Sequence, residues 1–472
     1  MESGERTERP AATDLRERYE AAGQGHVFAF WRRLDAAGRA RLSAQLTALD
    51  LALVGELAAL LEAGPPVPTG AFEPPELFPL RRDADDEARA RAARERGAEL
   101  LARGAVGYLL VAGGQASRLG YDGPKGCFPV GPVSGRSLFA IHARRLRAAA
   151  ARHGAPTPFY VMTSPANDAA TRAFFGQNEH FGLDPRDVRF FAQAMLPALD
   201  PQGRILMAAP DSLFLAPDGH GGVLAALADS GCLAAARARG VETISYFQVD
   251  NPLVRPADPL FLGLHAAAGA RMSSKVVEKR DPAEKVGVIG RADGRLGCIE
   301  YSDLPAELRE AREPTGELTF RAGNIAVHAL QVDFVQAITR DGLRLPWHLA
   351  RKKVAALDDD GRPTEREGIK FEAFVFDALG LSPTSVTLEV ERAHEFSPVK
   401  NASGVDSPAS ARRDLCALFA GWARRAGREL PDADADGVHP VEVDPLVAED
   451  EADFLARAPA APVVRPEGHL YE

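Results

Sequence analysis

Residues 110–127 read LVAGGQASRLGYDGPKGC, an apolar run that halts at Gly113-Gly114 and is followed within a dozen positions by Ser117, Arg118 and Lys125. Glycines let a backbone approach a ligand closely, and nearby hydroxyl and cationic groups supply donors, so the pattern suits a phosphate-binding turn. It is not a P-loop, because no Gly-Lys-Ser/Thr stands at the required distance. It is not G-x-G-x-x-G either, since Gly120 falls too late, and this disfavours a dinucleotide-dependent oxidoreductase. On this segment alone, a tight turn with a surface cation stays open.

A second candidate lies at the end of the strongly apolar run ISYFQVD. A carboxylate there, Asp250, is well placed to hold magnesium, a hard cation that keeps waters and bridges substrate phosphates. The competing reading is a turn or helix-capping Asp before Asn251-Pro252.

The elements that must position these groups alternate. VGYLLVA, TPFYVMTS, VRFFAQ and ETISYFQVDN read as short strands, and SLFAIHARRLRAAAARHG and HGGVLAALADSGCLAAARARG as helices between them. That order implies βαβ units and a mostly parallel sheet, whose ligands sit at the carboxyl ends of strands. Before it, residues 13–62 carry helical spacing (Val27, Phe30, Trp31, Leu34, then Leu42, Leu46, Leu49, Leu53), a proline-rich connector follows, and a helix is expected at about 85–103. After residue 271, two strands are expected around a turn at Ala292-Asp293-Gly294, as an antiparallel insertion over the site. From about 403 the expectation is one helix and an ill-defined tail containing the strand-like HPVEVDPLV.

The chain has 472 residues and a formal charge of −10, so any polyanion site must be local, and nucleic-acid or membrane-surface partners are not expected. The four cysteines, Cys127, Cys232, Cys298 and Cys416, show no metal-ligand spacing and read as reduced thiols. No secretory h-region and no uninterrupted apolar stretch of 18 residues is seen, so a cytoplasmic protein is expected.

The 113–125 segment resembles the nucleotide-binding signature G-G-x-G-T-R-L-G…P-K of the sugar-nucleotide pyrophosphorylases, with Gly113, Gly114, Arg118, Leu119, Gly120, Pro124 and Lys125 in register and Ala116-Ser117 in place of Gly-Thr. MTSPANDAATRAFFGQNEHFGL, FFAQAMLPAL, APDGHGG, VDNPLVRPADP, KVVEKRDPAEKVGVI, EYSDL, AGNIAVH, GIKFEAFVFD and EFSPVKNA then follow in the order found in eukaryotic-type UDP-N-acetylhexosamine pyrophosphorylases. The leader GQGHVFAFWRRLDAAGRARLSAQLTALD is similar to theirs too, so the resemblance covers roughly residues 15–450. Gln193 with Met195-Leu196-Pro197 is its strongest single discriminator.

The resemblance implies a doubly wound, mostly parallel nucleotidyltransferase sheet, Rossmann-like and GT-A-like. It implies a helical N-terminal region (1–103), a catalytic domain (104–402) and a small C-terminal region (403–472). It implies Mg²⁺-dependent transfer of uridylyl from UTP to a sugar 1-phosphate, with Arg118, Lys125 and Lys400 catalytic. Val111, Ala112, Gly113, Gly114, Lys125, Gln193, Gly219, Asp250 and Lys370 correspond to nucleotide contacts, and Asp250 to the metal ligand. His220, Glu300, Tyr301, Asn324 and Lys400 correspond to sugar contacts. The chemistry suits such a set, because the nucleophile is already anionic and what is needed is alignment and charge neutralisation. His220 stands where the N-acetylhexosamine enzymes usually have Asn in P-D-G-N-G-G. N-acetylglucosamine 1-phosphate is the expected substrate, with glucose 1-phosphate or several hexose 1-phosphates as the alternative. A non-catalytic nucleotide-sugar sensor is the alternative of another class, disfavoured by the intact cations.

Overall fold

The computed structural model describes residues 14–64 and 71–472; part of the proline-rich connector and the charged N-terminal stretch lie outside them. The chain divides into two compact units, each assembled from discontinuous segments, where the sequence reading cuts it consecutively.

The larger unit comprises 69–193, 223–344 and 376–472. Its main sheet contains, in chain order, β1 (Leu77–Phe78), β2 (Val106–Val111), β3 (Phe159–Thr163), β4 (Val188–Ala192), β5 (Thr243–Gln248), β6 (Met272–Glu278), β7 (Ala322–Gln331) and β8 (Thr387–Glu389). Their spatial order is β1-β8-β6-β7-β5-β2-β3-β4. β7 alone runs antiparallel to both its neighbours, and the other pairings are parallel. β2, β3 and β5 are apolar almost throughout and buried along their length, as strands covered on both faces must be. From β2 the chain winds outward through β3 and β4, then returns to lay β5 on the opposite side of β2. This makes the β2–β5 boundary a topological switch point, where open α/β sheets bind ligands.

Helix Leu138–His153 starts at Ser137, whose hydroxyl accepts the Ala140 N–H at 3.2 Å, and stops at Gly154 with φ 67°. Helices Ala84–Ala102 and Pro259–Ala267 cross at two glycines: a Cβ on Gly97 would lie 1.9 Å from the Pro259 carbonyl oxygen, and one on Gly263 would lie 1.7 Å from that of Ala93. The expected hairpin is present as Val288–Ala292 and Arg295–Ile299, turning at Asp293 (φ 52°) and Gly294 (φ 74°), the geometry of a primed two-residue turn.

Three expectations are corrected. The 220–240 pattern is two helices, Val223–Asp229 and Cys232–Ala238, because Gly231 adopts φ 74° between them. The C-terminal tail is ordered: after helix Pro408–Arg425 come helix Glu451–Arg457 and a sheet of Val441–Val443, Gly468–Tyr471 and Val463–Arg465. In the leader, Val27, Trp31 and their neighbours sit on 3-10 turns at Gly25–Phe28 and Trp31–Arg33.

The smaller unit joins the described residues of 1–68 to 194–222 and 345–375. Helices Ala36–Ala48 and Leu51–Ala63 are separated at Asp50, whose carboxylate accepts the Ala52 and Leu53 N–H groups. Their buried faces (Leu42, Leu46, Val54, Leu57) share a core with Leu199, Ile205, Ile369 and Phe371. The long hairpin Trp347–Leu357/Pro363–Ala373 forms its other side. Among the described residues no single helix is long and apolar enough to cross a membrane.

Candidate functional site

At the switch point, β2 runs into Ala112, Gly113 and Gly114. The Ala112 N–H donates to Met162 O at 2.8 Å and holds the loop to β3. Gln193, at the end of β4, is 8% exposed, and its Oε1 would lie 2.7 Å from any Cβ on Gly113. Gly113 thus leaves room for the Gln193 amide as it stands, and its backbone angles are ones any residue adopts. The loop then folds on itself, with Ala116 N–H donating to Gly123 O and Lys125 N–H to Gly114 O, both at 3.0 Å. Ala116 has φ −94° and ψ 17°, which any residue adopts, so losing the usual glycine there costs no strain. Arg118 is exposed on the short turn Ser117–Leu119.

Across the switch point, Asp250 follows β5. Its Oδ2 lies 3.6 Å from Lys125 Nζ, and the two side chains are 11% and 19% exposed. Its backbone oxygen accepts the Val399 N–H at 2.8 Å. Asn251, 3% exposed, donates to Glu395 O at 2.7 Å and accepts the Ser397 N–H at 3.1 Å. Segment 395–399 is thus fastened to the end of β5, and Lys400 emerges from it with Nζ 5.7 Å from the Phe396 ring centre. Beneath Asp250, His142 is fully buried with Nε2 3.0 Å from Val249 O, and burial lowers its pKa to about 4.

Two groups that hold this site escape a reading by motif. Asn167 is 1% exposed; its Nδ2 donates to Ala112 O at 3.0 Å and Gly114 O at 3.3 Å, and its Oδ1 accepts the Ser164 N–H at 2.8 Å. Asn167 precedes helix Asp168–Gln177 and Asn251 precedes a proline, so each reads in sequence as an ordinary cap or turn.

Elsewhere in the larger unit, Glu300 and Asn324 gather around Gly287. The Asn324 N–H donates to Gly287 O at 2.8 Å, and Glu300 Oε1 would be 3.5 Å from a Cβ on Gly287. Tyr301 is 39% exposed beside them in sequence.

The smaller unit carries Gly219, His220 and Lys370. Gly219 has φ 86°, and a Cβ on it would lie 2.4 Å from Ala373 O. His220 stacks on Phe374 at 5.1 Å between ring centres, as does His348 at 4.3 Å, and His220 Nδ1 accepts the Val375 N–H at 3.2 Å. The adjacent Asp218 is 4% exposed with Oδ1 unpartnered, and burial raises its pKa to about 7. Lys370 Nζ lies 5.3 Å from the Phe214 ring centre.

The two-glycine loop and the lysine–carboxylate pair lie at the switch point of a large, mostly parallel sheet, the architecture of an α/β protein. The chain belongs to the UTP–glucose-1-phosphate uridylyltransferase family, which it matches over residues 80–418, and it is an enzyme of that transferase class. It is 40% identical over 449 residues to the Xenopus tropicalis UDP-N-acetylhexosamine pyrophosphorylase-like protein 1, covering 89% of this chain and 86% of that one. It is 36% identical over 454 residues to Arabidopsis thaliana UDP-N-acetylglucosamine diphosphorylase 2, covering 92% and 89%. Among solved structures, it resembles the Trypanosoma brucei UDP-N-acetylglucosamine pyrophosphorylase in complex with an inhibitor, with TM-score 0.81, 29% identity and 94% of each chain covered.

Proposed function

We propose that this protein transfers uridylyl from UTP to N-acetylglucosamine 1-phosphate, releasing pyrophosphate and UDP-N-acetylglucosamine. The observation that carries the reading is the Lys125–Asp250 pair at the β2–β5 switch point, in a chain whose relatives bear N-acetylglucosamine and N-acetylhexosamine names.

The sugar phosphate oxygen attacks the α-phosphorus of UTP, a new P–O bond forms, and the bond to pyrophosphate breaks. The nucleophile carries its own charge, so no general base is required and the work is positioning and electrostatics. Arg118 and Lys125 neutralise the triphosphate, Lys400 bridges toward the sugar phosphate, and Lys370 adds a further cation for the nucleotide. Val111 to Gly114, with Gln193 and Gly219, present backbone groups and an amide to the nucleotide. Glu300, Tyr301, Asn324 and His220 serve the sugar.

Magnesium fits the donor set. Among the described residues no group of three or more His, Cys, Asp or Glu forms a metal cage, but Mg²⁺ is commonly held by one carboxylate plus substrate phosphates. Asp250 is the residue that would hold it, and the bound ion would neutralise phosphate charge. We further assign the sheet to the GT-A-like nucleotidyltransferases, with a helical leader and a small C-terminal region, and the protein to the cytoplasm, in keeping with its four free cysteines.

His220 can fill one structural role of the Asn it replaces, which leaves the choice of sugar to the assay. Histidine Nδ1 and asparagine Oδ1 sit at the same distance along the side chain, and His220 uses Nδ1 as an acceptor for the Val375 N–H, as an Asn oxygen would. Pyrophosphate release with UTP and a panel of sugar 1-phosphates tests the proposal. N-acetylglucosamine 1-phosphate is expected to give the highest kcat/KM; release with none, or a preference for glucose 1-phosphate, would overturn it.

A further inference from the structure

The pairing of β6 with β7 slips at one place. Lys275 faces Val327, the next residue Val276 faces Asn324, and Ile325 and Ala326 bulge between. Ala326 adopts φ 54°, a left-handed conformation that a non-glycine residue takes only when its surroundings impose it. The local restraint is the Asn324 side chain, whose Oδ1 accepts the Ala326 N–H at 2.9 Å. A backbone N–H can meet only the oxygen, so the orientation of the amide is settled: its oxygen is used by the bulge, and its NH₂ is the group presented.

That NH₂ has a neighbour. Nδ2 donates to Cys298 Sγ at 3.6 Å, across the hairpin strand Arg295–Ile299. The sulfur is itself wedged in place, because a Cβ on Gly287 would lie 2.6 Å from it. Burial and the nearby Glu300 keep the thiol protonated, raising its pKa well above the ordinary value. A neutral thiol is a weak acceptor. It can therefore aim the Asn324 NH₂ without competing strongly for it.

The geometry points to Cys298 as a positioning residue for substrate choice: it aims the Asn324 NH₂ and yields it to the acetamido carbonyl of an N-acetylhexosamine. This inference rests on the proposed reading of Asn324 as a sugar contact. An acetamido carbonyl oxygen only accepts, so it needs this donor. A sugar hydroxyl at the same place can either donate or accept, so it depends less on which groups the protein offers.

The test uses Cys298→Ser and Cys298→Ala in the full chain, with UDP-N-acetylglucosamine, UDP-glucose and UDP titrated calorimetrically. In Cys298→Ser a hydroxyl, a much stronger acceptor, retains the NH₂. The Kd for UDP-N-acetylglucosamine is then expected to rise about tenfold, with those for UDP and UDP-glucose within about twofold of wild type. Cys298→Ala, which loses the aim but adds no competitor, is expected to raise only the first Kd, about threefold. A ratio of UDP-N-acetylglucosamine to UDP-glucose affinity unmoved in both variants would overturn the role of Cys298. An equal loss for all three ligands would reduce it to structural packing and overturn it equally. Wild-type protein that binds none of the three would instead overturn the nucleotide-sugar reading itself.

Discussion

Lys125 and Asp250 face each other across the switch point, Nζ to Oδ2 at 3.6 Å, with neither side chain more than a fifth exposed. The separation exceeds a direct hydrogen bond, so the pair is a matched but loosely engaged charge couple. Lys125→Met should lower kcat by a factor of about 30 to 1,000, since an electrostatic contact strengthened in the transition state is worth about 2–4 kcal/mol. Asp250→Asn should move the midpoint of a magnesium titration upward by about tenfold or more. The double variant should lose less than the sum of the two, because the residues are in contact. Single-turnover rates across magnesium concentrations measure all three, and an unchanged rate in Lys125→Met would remove it from the machinery.

Asn167 predicts a different signature. Asn167→Asp keeps the acceptor for the Ser164 N–H but replaces both donors to Ala112 O and Gly114 O with oxygen. The loop is then repelled where it was tied. KM for UTP should rise about tenfold with a smaller change in kcat, as expected for one lost buried hydrogen bond plus repulsion. Initial rates at varied UTP check it, and a kcat effect with KM unmoved would contradict it.

Asp218 should make stability depend on pH in an unusual sense. Its folded pKa, about 7, lies above the unfolded carboxyl value, so its favourable contribution is complete below the unfolded pKa near 4 and is lost as pH rises toward 7. Asp218→Asn should therefore stabilise the protein increasingly over that interval, by about 1–3 kcal/mol at pH 7.5. His142 acts oppositely. Its folded pKa of about 4 lies below the unfolded imidazole value, so its contribution is present above pH 6.5 and fades as pH falls toward 4. Denaturant melts of wild type and Asp218→Asn at pH 5, 6 and 7.5 separate the two, and a constant difference between the proteins would refute the assignment to Asp218.

For His220, replacement by the family's Asn should keep the acceptor for the Val375 N–H. His220→Asn is expected to retain kcat/KM within about threefold, whereas His220→Leu, which can pack against Phe374 but cannot accept, should lose about tenfold. Steady-state kinetics on N-acetylglucosamine 1-phosphate distinguish them, and equal activity of the two variants would show that the bond is dispensable.

What was legible in the sequence follows the physics of each part. β2, β3 and β5 announce themselves because strands buried on both faces are continuous apolar runs, the edge strand β4 shows in its aromatic pair Phe190-Phe191, and the hairpin turn shows in Asp293-Gly294. Asp250 was visible because it stands just past the end of β5, and Lys125 because it follows the two-glycine loop that leaves β2. In the tail, HPVEVDPLV showed the strand Val441–Val443, but Val463–Arg465 and Gly468–Tyr471 were not visible, since strands of three or four residues find partners only in three dimensions. Asn167, Asn251 and Cys298 were hidden for a related reason. Their roles consist of bonds to residues as far as 146 positions away, and a small polar residue beside a helix or turn already has a sufficient local explanation.

The placement of β8 between β1 and β6, and of segment 395–399 on Asp250, has a consequence for how the protein is made. On the ribosome, β2 to β5 emerge early and can pair with one another as they appear. β1, emerging before them, has its neighbour in β8 more than 300 residues later in the chain. The fastening at Asp250 likewise waits for Val399. A nascent chain stalled before residue 387 would hold the glycine loop and Asp250 but leave one flank of the sheet unclosed, an open edge of the kind that chaperones cover and that aggregates when they do not. Competence to hold the nucleotide should therefore arrive late in synthesis and in a single step, long after the segment that carries its signature has left the exit tunnel.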